Sequence, residues 1–566
     1  MNKPNLFRGF PSRLELEESI ERMSLPEWLL TCLLGLVMSI AMLNILGDLN
    51  SHFLVAVPEK GGTFTEGIVG TPSLVNPVLA SSQADKDITM LVFSGLMRKT
   101  GEGELVPDLA ESYATSDGGK TYTFTLRDDL TFHDGKPLTS ADVLYTIRQV
   151  ENPLIKSPRR LAWDQIQVEA PDPKTIVITL PESNSAFLEK TTLGILPAHL
   201  WADVSADQFA SSVLNTEAVG SGPYKIVKTK RHSSGLVYEY RLDAFKKTFE
   251  IPLIENVNIL FYDNTESANR DLVNHDIDAE GGIDPEIIST LDDSHSVKAL
   301  SLPRVFGLFF NQNQATFFAD KNVRTAIAMS IDTERIAKIV LGGYAAPLHG
   351  VLPGADESIT FDPAKAIDML DKAGWEKAED GTRTKMIGKE ERTLEFTIAT
   401  GDAPELSSAA EVILENLRDV GIKVFVKPYE LGLLNQTIIR PRKYDSLLFG
   451  QVINQPTDLY AFWHSSERTD PGLNVALYTS VKADKALENA VHEQDEEKRA
   501  EFLHTAINTI SDDLPAVFLY SPEYVYVTPT KLQGFTSSRV TQAQDRFADI
   551  RSWYVRTNKI WKVFVK

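Results

Sequence analysis

Leu105 to Ile147 reads LVPDLAESYATSDGGKTYTFTLRDDLTFHDGKPLTSADVLYTI, and this stretch decides how the rest of the chain is interpreted. A turn is predicted at Asp117–Gly119, because an aspartate followed by two glycines tolerates the backbone angles of tight turns. We expect a helical turn before it. After it, Tyr122, Phe124 and Leu126 share one face of a predicted strand, since alternate residues of a strand point the same way.

A second turn and a capped helix complete the segment. His133 to Pro137, with the sequence HDGKP, are predicted to form the turn because Asp-Gly is a turn dipeptide. The helix is expected to begin at Thr139, which can form a capping box with Asp142. Reading His133 and Asp134 as a catalytic pair is the weaker alternative, so the segment indicates a folding element rather than an active site.

Length and charge limit the possible classes of function. With 566 residues the chain should hold more than one domain. Its 57 basic and 78 acidic residues give a net charge of −21, and no nucleic acid partner is expected because phosphate binding needs a basic surface. The acidic excess says little about a small ligand, since the charge of a cleft can oppose the net charge. The single cysteine, Cys32, permits neither an intrachain disulfide nor a thiolate metal cluster.

An apolar run near the N-terminus is long enough to cross a membrane. Trp28 to Leu46 contain no charged residue, and about 20 apolar residues span the hydrocarbon core of a bilayer. The basic residues before the run are Lys3, Arg8, Arg13 and Arg22, and none follows it before Lys60. The positive-inside rule therefore places the first residues in the cytoplasm and the rest of the chain outside it.

Several interpretations of this run remain open. An uncleaved signal anchor is favoured, because no small-x-small cleavage site follows cleanly; a cleaved signal peptide is the second choice. A lipoprotein would use Cys32, but Thr31 stands where a lipobox has glycine or alanine, and a buried core helix fits an uncharged N-terminal run poorly. With the anchor, residues 1–27 form a cytoplasmic stub, 28–47 one transmembrane helix and 48–60 a tether. The large domain of this single-pass membrane protein would then be periplasmic or extracellular.

From Gly61 onwards, helix and strand signals alternate. Asp362-Pro363 predicts the start of a helix that Gly374 ends, and Asp332 is expected to cap another. A third helix is predicted at about 405–419, with a strand at 422–426 after it. Tyr238, Tyr240 and Leu242 alternate along a further strand. The mixture predicts an α+β fold with α/β portions.

Further motifs follow one another in a fixed order. They are Gly220-Ser221-Gly222-Pro223-Tyr224, Phe310-Asn311, Val323-Arg324 through Ile331-Asp332, Gly342-Gly343-Tyr344, FDPAKAIDMLDKAGW at 361–375, Tyr444-Asp445 and Leu477-Tyr478. Together with Leu105–Ile147 they resemble the motifs of the bacterial extracellular solute-binding proteins of family 5, the peptide-, dipeptide- and nickel-type receptors of ABC importers. The resemblance extends over nearly all of residues 61–540.

The resemblance implies a two-lobed periplasmic-binding-protein-like fold of the large class, with an extra inserted domain and one transmembrane helix before it. Lobe I is expected to be discontinuous. It would comprise 61–104, 218–302 and 522–566, with the inserted domain at 105–217. Lobe II would comprise 303–521.

The function that the resemblance implies is ligand capture for import. A monomeric receptor would bind a peptide or other small solute between its lobes and deliver it to an ABC transporter permease and its ATPase. One alternative is a structural or signalling protein that kept the fold and lost import. A hydrolase is the third possibility, and no cofactor is implied.

Catalytic and metal-binding motifs are missing from the sequence. It has no phosphate-binding Gly-x-x-x-x-Gly-Lys-Ser/Thr loop and no Gly-x-Ser-x-Gly elbow. His492-Glu493 lacks the second histidine of a zinc protease helix. The ten histidines are scattered, so we expect no metal site and no enzyme activity.

Ligand contacts are expected chiefly in LLFGQVINQPTDLYAFW, Leu447 to Trp463. In peptide-binding relatives this loop has a Gly-Trp pair and, four residues before a proline, an aspartate that pairs with the ligand's amine. If Pro456 is that proline, Phe449 replaces the tryptophan and Val452 the aspartate, which puts recognition of a free α-amino group in doubt. Asp458 is a possible substitute, although an acid at a helix start is the commoner explanation.

The candidate binding residues are polar and aromatic. Gln451 and Asn454 offer neutral hydrogen-bonding groups, and Phe449, Tyr460 and Trp463 can line an apolar pocket or belong to the core. A second edge, Ser81-Ser82-Gln83, matches the strand that pairs with a peptide backbone in relatives. The candidate contacts are therefore Ser82, Gln83, Phe449, Gln451, Asn454, Tyr460 and Trp463.

Overall fold

The computed structural model describes residues 23–352 and 359–564. Residues 1–22 of the expected cytoplasmic stub and 353–358 of the expected second lobe lie outside the described residues. The chain divides into two compact units, residues 1–59 with 556–566 and residues 60–555.

Strands and helices are interspersed along the described chain. The strands are β1 (Leu54–Glu59), β2 (Thr63–Val69), β3 (Met97–Lys99), β4 (Leu105–Pro107), β5 (Ala110–Ser116), β6 (Thr121–Leu126), β7 (Gln167–Asp172), β8 (Thr175–Thr179), β9 (Tyr224–Arg231), β10 (Val237–Ala244), β11 (Asn256–Tyr262), β12 (Ala279–Gly281), β13 (His295–Ser301), β14 (Arg304–Phe310), β15 (Ala345–Pro347), β16 (Glu376–Lys377), β17 (Arg383–Ile387), β18 (Glu390–Thr393), β19 (Glu395–Gly401), β20 (Lys423–Tyr429), β21 (Ser446–Val452), β22 (Ala516–Pro529) and β23 (Arg556–Trp561).

The α-helices range from single turns to one membrane-length helix. They are α1 (Leu25–Phe53), α2 (Gln83–Val92), α3 (Ser140–Glu151), α4 (Phe187–Lys190), α5 (Ala198–Trp201), α6 (Ala206–Phe209), α7 (Thr265–Val273), α8 (Pro285–Ile288), α9 (Lys321–Ser330), α10 (Thr333–Ile339), α11 (Pro363–Lys372), α12 (Pro404–Asp419), α13 (Leu431–Leu433), α14 (Leu459–Trp463), α15 (Val481–His492) and α16 (Glu496–Asp513).

The smaller unit contains α1 and a two-stranded sheet. Leu25–Leu46 has a mean hydropathy of 2.4 and none of it is buried within the protein, so its length and composition suit a membrane span. β1 follows α1 directly and pairs antiparallel with β23, with Leu54 opposite Trp561. Residues 48–59, which were expected to form a tether, are helix and strand. Residues 556–561, which we expected in lobe I, belong to this unit because they supply the partner strand.

The larger unit is organised by one sheet with the strand order β20-β19-β21-β14-β22-β12-β2-β11-β10-β9. Its strand β22 changes partners halfway. Ala516 to Tyr520 pair with β14, and Glu523 to Pro529 pair with β13. At this change the Ser521 hydroxyl donates a hydrogen bond to the Leu302 carbonyl at 2.9 Å. We call 303–521 lobe II and 60–302 with 522–555 lobe I, in which 105–217 is the inserted domain.

The hydrophobic cores follow the same division. One cluster contains buried residues from Phe64 to Leu302 and from Tyr526 to Trp553, and it includes the inserted domain. Two further clusters are formed by residues between 305 and 520. Lobe I and the inserted domain thus share a core, whereas lobe II has its own.

The inserted domain is built on an antiparallel sheet with the order β5-β6-β8-β7. Tyr122, Phe124 and Leu126 are buried on one face of β6, as their alternation predicts. The expected helical turn before Asp117 is wrong, because Ala110–Ser116 form strand β5 and pair with β6. The reason lies in the turn itself: Asp117, Gly118 and Gly119 have φ angles of 53°, 65° and 85°, which reverse the chain into a hairpin.

Most local helix signals were predicted correctly from the sequence. The Thr139 backbone N–H donates to the Asp142 carboxylate at 2.9 Å, which confirms the capping box at the start of α3. Asp362 caps α11 and Asp332 caps α10, each through its side chain. These contacts are local, so the sequence order alone reveals them.

Candidate functional site

A cavity of about 460 Å³ lies where α2, the inserted domain, residues 541–551 and Asn454 of lobe II meet. A second cavity of about 190 Å³ shares Lys99, Glu189 and Asn454 with it and adds Arg539. The Arg539 guanidinium of lobe I donates to the backbone carbonyl of Asn454 in lobe II at 3.1 Å. Asn454 is thus the candidate contact that the structure places between the lobes.

The other residues of strand β21 lie beside this region. Gln451 is only 4% exposed, and neither its amide oxygen nor its amide nitrogen has a hydrogen-bond partner among the described residues. Phe449 is half-buried and packs against the core of lobe II. Val452 is exposed. None of these three lines the two cavities above, so a ligand contact by Phe449 or Gln451 stays a prediction.

The aromatic candidates after β21 serve the fold of lobe II. Trp463 is fully buried, with its ring against Phe309, Tyr478 and Phe518. In this conformation the ring therefore has a packing role, and a ligand contact by Trp463 stays a prediction. Tyr460 stacks on His464 with 4.2 Å between ring centroids and lines a separate surface depression.

Asp458 acts as a helix cap. Its carboxylate accepts the backbone N–H of Gln455 at 3.2 Å, at the start of the short helical segment that leads into α14. Burial raises the pKa of this carboxyl, against the lowering effect of that hydrogen bond. A local capping role accounts for the acid without a ligand amine.

Ser82 and Gln83 lie at a helix start, not on an edge strand. The Ser82 hydroxyl caps α2 by accepting the Asp85 backbone N–H at 3.1 Å. The Gln83 amide donates to Asp87 at 2.6 Å and to Gln544 at 3.2 Å. In this conformation the segment makes helix-capping contacts and is not part of a strand, so its pairing with a peptide stays a prediction.

Charged side chains surround the larger cavity, and sequence reasoning did not identify them. Six cationic side chains line it: Lys86, Arg98, Lys99, Arg159, Lys190 and Arg551. Three acidic ones join them: Asp108, Glu189 and Asp545. No short motif could have revealed the set, since its members come from α2, strand β3, the inserted domain and the C-terminal segment.

A buried ionic network lies next to this cavity. The Arg546 guanidinium donates to Glu66 at 2.9 Å and to both carboxylate oxygens of Asp87 at 3.0 and 2.7 Å. Tyr526 donates its hydroxyl to Glu66 at 2.7 Å. Burial, with the charge of Glu66, raises the pKa of Glu280 to about 8, and one oxygen of its carboxyl has no partner among the described residues.

The structure brings two of the scattered histidines together with an aspartate. Donor atoms of His275, Asp292 and His295 lie within 4.8 Å of one another, and the two imidazoles are stacked. Asp292 accepts from Ser294 as well as from His295. These hydrogen bonds hold the pKa of Asp292 well below its usual range.

A two-lobed fold with lobes joined by β22 and the 301–304 segment, and with a cavity bounded by both lobes, defines the class of periplasmic-type binding proteins. Residues 104–472 match the middle region of the bacterial extracellular solute-binding proteins, family 5. The chain belongs to this family and is a solute-binding protein.

Several characterised proteins are similar to the chain over most of its length. The oligopeptide-binding protein AppA of Bacillus subtilis is 26% identical over 496 residues, which cover 84% of this chain and 89% of AppA. Among solved structures, the ABC transporter substrate-binding protein CtaP of Listeria monocytogenes is 25% identical with a TM-score of 0.70, over 88% of this chain and 99% of CtaP. NikZ of Campylobacter jejuni, solved in complex with Ni(L-His), is 26% identical with a TM-score of 0.63, over 87% of this chain and 99% of NikZ.

Proposed function

We propose that this chain is the outward-facing receptor of an ABC importer, which captures a peptide or related small solute between its lobes and delivers it to a permease. The observation that carries the proposal is the family match together with a cavity whose wall contains residues of both lobes. The relatives named above are binding proteins, and binding without a covalent step is part of the proposal.

Lobe closure supplies the physical mechanism. Asn454 is the lobe II residue in the wall of the larger cavity, and the rest of that wall belongs to lobe I and the inserted domain. A change in the distance between the lobes therefore changes the shape of the cavity and the Arg539–Asn454 contact. A ligand that fits the closed form shifts the population towards it.

The choice of ligand class rests on the relatives and on strand β21. AppA binds oligopeptides, and NikZ was solved with a nickel–histidine complex. Because Val452 carries no charge and Asp458 caps a helix, a free α-amino group has no obvious acid partner on this loop. A peptide would then be held mainly through its backbone and side chains.

The apolar helix α1 supports anchoring. We propose that it keeps a monomeric receptor on the outer face of the cytoplasmic membrane, with one span and the larger unit outside. Extraction of membranes at alkaline pH should leave the full chain in the pellet. Release into the supernatant would contradict the anchor, and a cleaved N-terminus in mass spectrometry would show a signal peptide instead.

Ligand binding is tested by calorimetry on the full chain in detergent. Glycine and alanine peptides of two to about nine residues, simple sugars and nickel–histidine are the probes, and a 1:1 peptide isotherm with a Kd in the micromolar range or tighter is expected. Arg539→Ala should weaken binding, because it removes the contact with lobe II, whereas Arg335→Ala on the surface should not. Absence of binding by every probe, together with a hydrolytic activity of the purified chain, would overturn the proposal.

A further inference from the structure

We propose that the larger cavity holds an anionic group of the ligand, a carboxylate in the first place, through Lys86, Arg159 and Lys190. This inference rests on the proposed function, because it specifies the charge of the solute that the receptor captures. It assigns selectivity to α2 and the inserted domain rather than to the loop at 447–463.

Half of the cationic side chains around the cavity are neutralised by acids. Arg551 forms two hydrogen bonds with the Asp108 carboxylate, at 2.8 and 3.1 Å. Lys99 lies 3.2 Å from Glu189, and Arg98 lies 2.8 Å from Glu250. These pairs satisfy their charges within the protein and leave little to attract a ligand.

The other three cations have no acidic partner within residues 23–352 and 359–564. Arg159 donates to the Pro77 carbonyl at 3.0 Å, and Lys190 donates to the Ala162 carbonyl at 2.9 Å. Lys86 has no ion pair among the residues that the structure describes. A carbonyl satisfies a hydrogen bond but does not neutralise a charge, so three positive charges remain uncompensated around one cavity.

Burial disfavours the charged forms of two of these cations, Arg159 and Lys190. Burial lowers the pKa of the Arg159 guanidinium and of the Lys190 ammonium, because loss of contact with water disfavours the charged form of a cation. Arg159 is nevertheless accessible to solvent. A guanidinium that is partly surrounded by protein and still accessible to solvent can bind a charged ligand that enters from solution.

A hydroxyl group in the same wall also lacks a partner. The Thr89 side-chain oxygen is buried and makes no hydrogen bond among the described residues, although Thr89 lies in α2, where a threonine often bonds a preceding carbonyl. A carboxylate in the cavity would accept this hydroxyl hydrogen. Buried polar atoms are normally satisfied, so the unpaired hydroxyl independently indicates a polar ligand.

One acid in the wall, Asp545, has no cation paired with it among the described residues, so it offsets part of the positive charge of the lining. Asp545 accepts the backbone N–H groups of Thr541 and Gln542, each at 2.9 Å. Because six cationic and three acidic side chains line the cavity, its lining carries an excess of positive charge in a chain whose net charge is −21. A local field of opposite sign to the whole protein favours anions within the site.

The test measures affinity by calorimetry on the full chain in detergent. The probes are the C-terminally amidated peptides Ala-Ala-Ala-Ala, Ala-Glu-Glu-Ala and Ala-Lys-Lys-Ala, and the non-peptide anion propane-1,2,3-tricarboxylate. We expect the acidic peptide to bind about tenfold or more tightly than tetra-alanine at low salt. The advantage should shrink when NaCl rises from about 20 mM to about 500 mM, because salt screens accessible charges.

Two triple variants distinguish the effect of the cavity cations on affinity from the effect of the protein's net charge. Lys86→Gln with Arg159→Gln and Lys190→Gln should abolish the preference for the acidic peptide. Lys321→Gln with Lys482→Gln and Lys498→Gln removes three exposed lysines of lobe II and should keep it. If the triple variant of the cavity fails to fold, two other measurements test the inference. Lys86→Gln alone should reduce the preference for the acidic peptide, and the preference of the wild type should shrink as salt rises.

The outcomes distinguish this inference from the proposed function. Equal or tighter binding of tetra-alanine overturns the anionic site and leaves peptide capture standing. Binding of the tricarboxylate with no peptide binding supports the anionic site and overturns peptide capture. No binding of either anion overturns the inference.

Discussion

Arg546 and Asp87, 459 positions apart in the chain, face each other through two hydrogen bonds of 3.0 and 2.7 Å in the core of lobe I. Both side chains are almost fully buried, and Glu66 is the second acid on the same guanidinium. Arg546 thus links the C-terminal segment to Asp87 in α2 and to Glu66 in β2, next to the larger cavity.

Loss of the Arg546 guanidinium should destabilise the protein strongly. Arg546→Met leaves Glu66 and Asp87 buried without their cation, and breaking such a network costs about 3–5 kcal/mol. Urea unfolding followed by tryptophan fluorescence measures the change. The control is Arg335→Met, which breaks an exposed pair with Glu415 and should cost less than about 1 kcal/mol. Similar losses in the two variants would contradict a special role for the buried network.

His133 should make the protein sensitive to mild acid. Its ring accepts the Gly220 N–H at 3.3 Å and donates to the Gly222 carbonyl at 3.1 Å, and burial lowers its pKa to about 4 from 6.5. Between these values the unfolded chain carries a proton that the folded protein does not, so stability falls as the pH falls. The wild-type advantage over His133→Gln should shrink by about 2 kcal/mol between pH 6.5 and about pH 5.

The His133 measurement compares urea unfolding of both proteins at each pH. The effect of pH on the other titratable groups is the same in both proteins, so it cancels in the difference between their free energies of unfolding. A stability gap that does not change with pH would show that the ring is protonated in the folded protein, contrary to the contacts above.

Gly220 should tolerate no side chain, because helix α2 is too close. A Cβ atom at this position would lie 2.0 Å from the Val92 carbonyl oxygen, which is part of the backbone and cannot rotate away. Gly220→Ala should therefore cost about 2–3 kcal/mol in urea unfolding. Ser221→Ala is the matched control, since the Ser221 hydroxyl is buried without a partner and its loss should cost little. Equal stability of both variants would refute this packing explanation.

The Gly220–Gly222 motif also shows what the sequence could predict. A tight turn before β9 was expected from two glycines and a proline. The structure adds the reason for the glycines: Gly222 donates its N–H to the Val92 carbonyl at 2.8 Å, so the chain passes directly against α2. The sequence predicted the turn. It could not reveal that the turn packs against α2, because α2 lies far away along the chain.

The same limit explains the errors of the sequence-based predictions. Caps at Thr139 and Asp362 depend on residues three positions away and were predicted correctly. The pairing of β1 with β23 joins the two ends of the chain, and no local pattern reveals it. The cavity cations are likewise brought together only by tertiary structure, so the sequence candidates include one residue of the cavity wall, Asn454, and none of its cations.

Glu280 should weaken the fold as the pH rises. Its carboxyl is buried, one oxygen has no partner, and its pKa is raised to about 8 from 4.5 by burial first and by Glu66 second. Between these values the folded protein keeps a proton that the unfolded chain has released. Stability from the neutral carboxyl is therefore complete below pH 4.5 and is lost as the pH rises towards 8.

Glu280→Gln tests this directly, because the amide has nearly the same shape and does not titrate. The variant and the wild type should be similar in stability at about pH 5, and the variant should be more stable by about 3 kcal/mol at about pH 7.5. Urea unfolding at intervals between these two pH values gives the difference. Glu415→Gln on the surface serves as the control and should show a flat difference. If the advantage of Glu280→Gln does not grow with pH, the carboxyl is ionised in the folded protein, and a cation partner such as Arg546 must neutralise it.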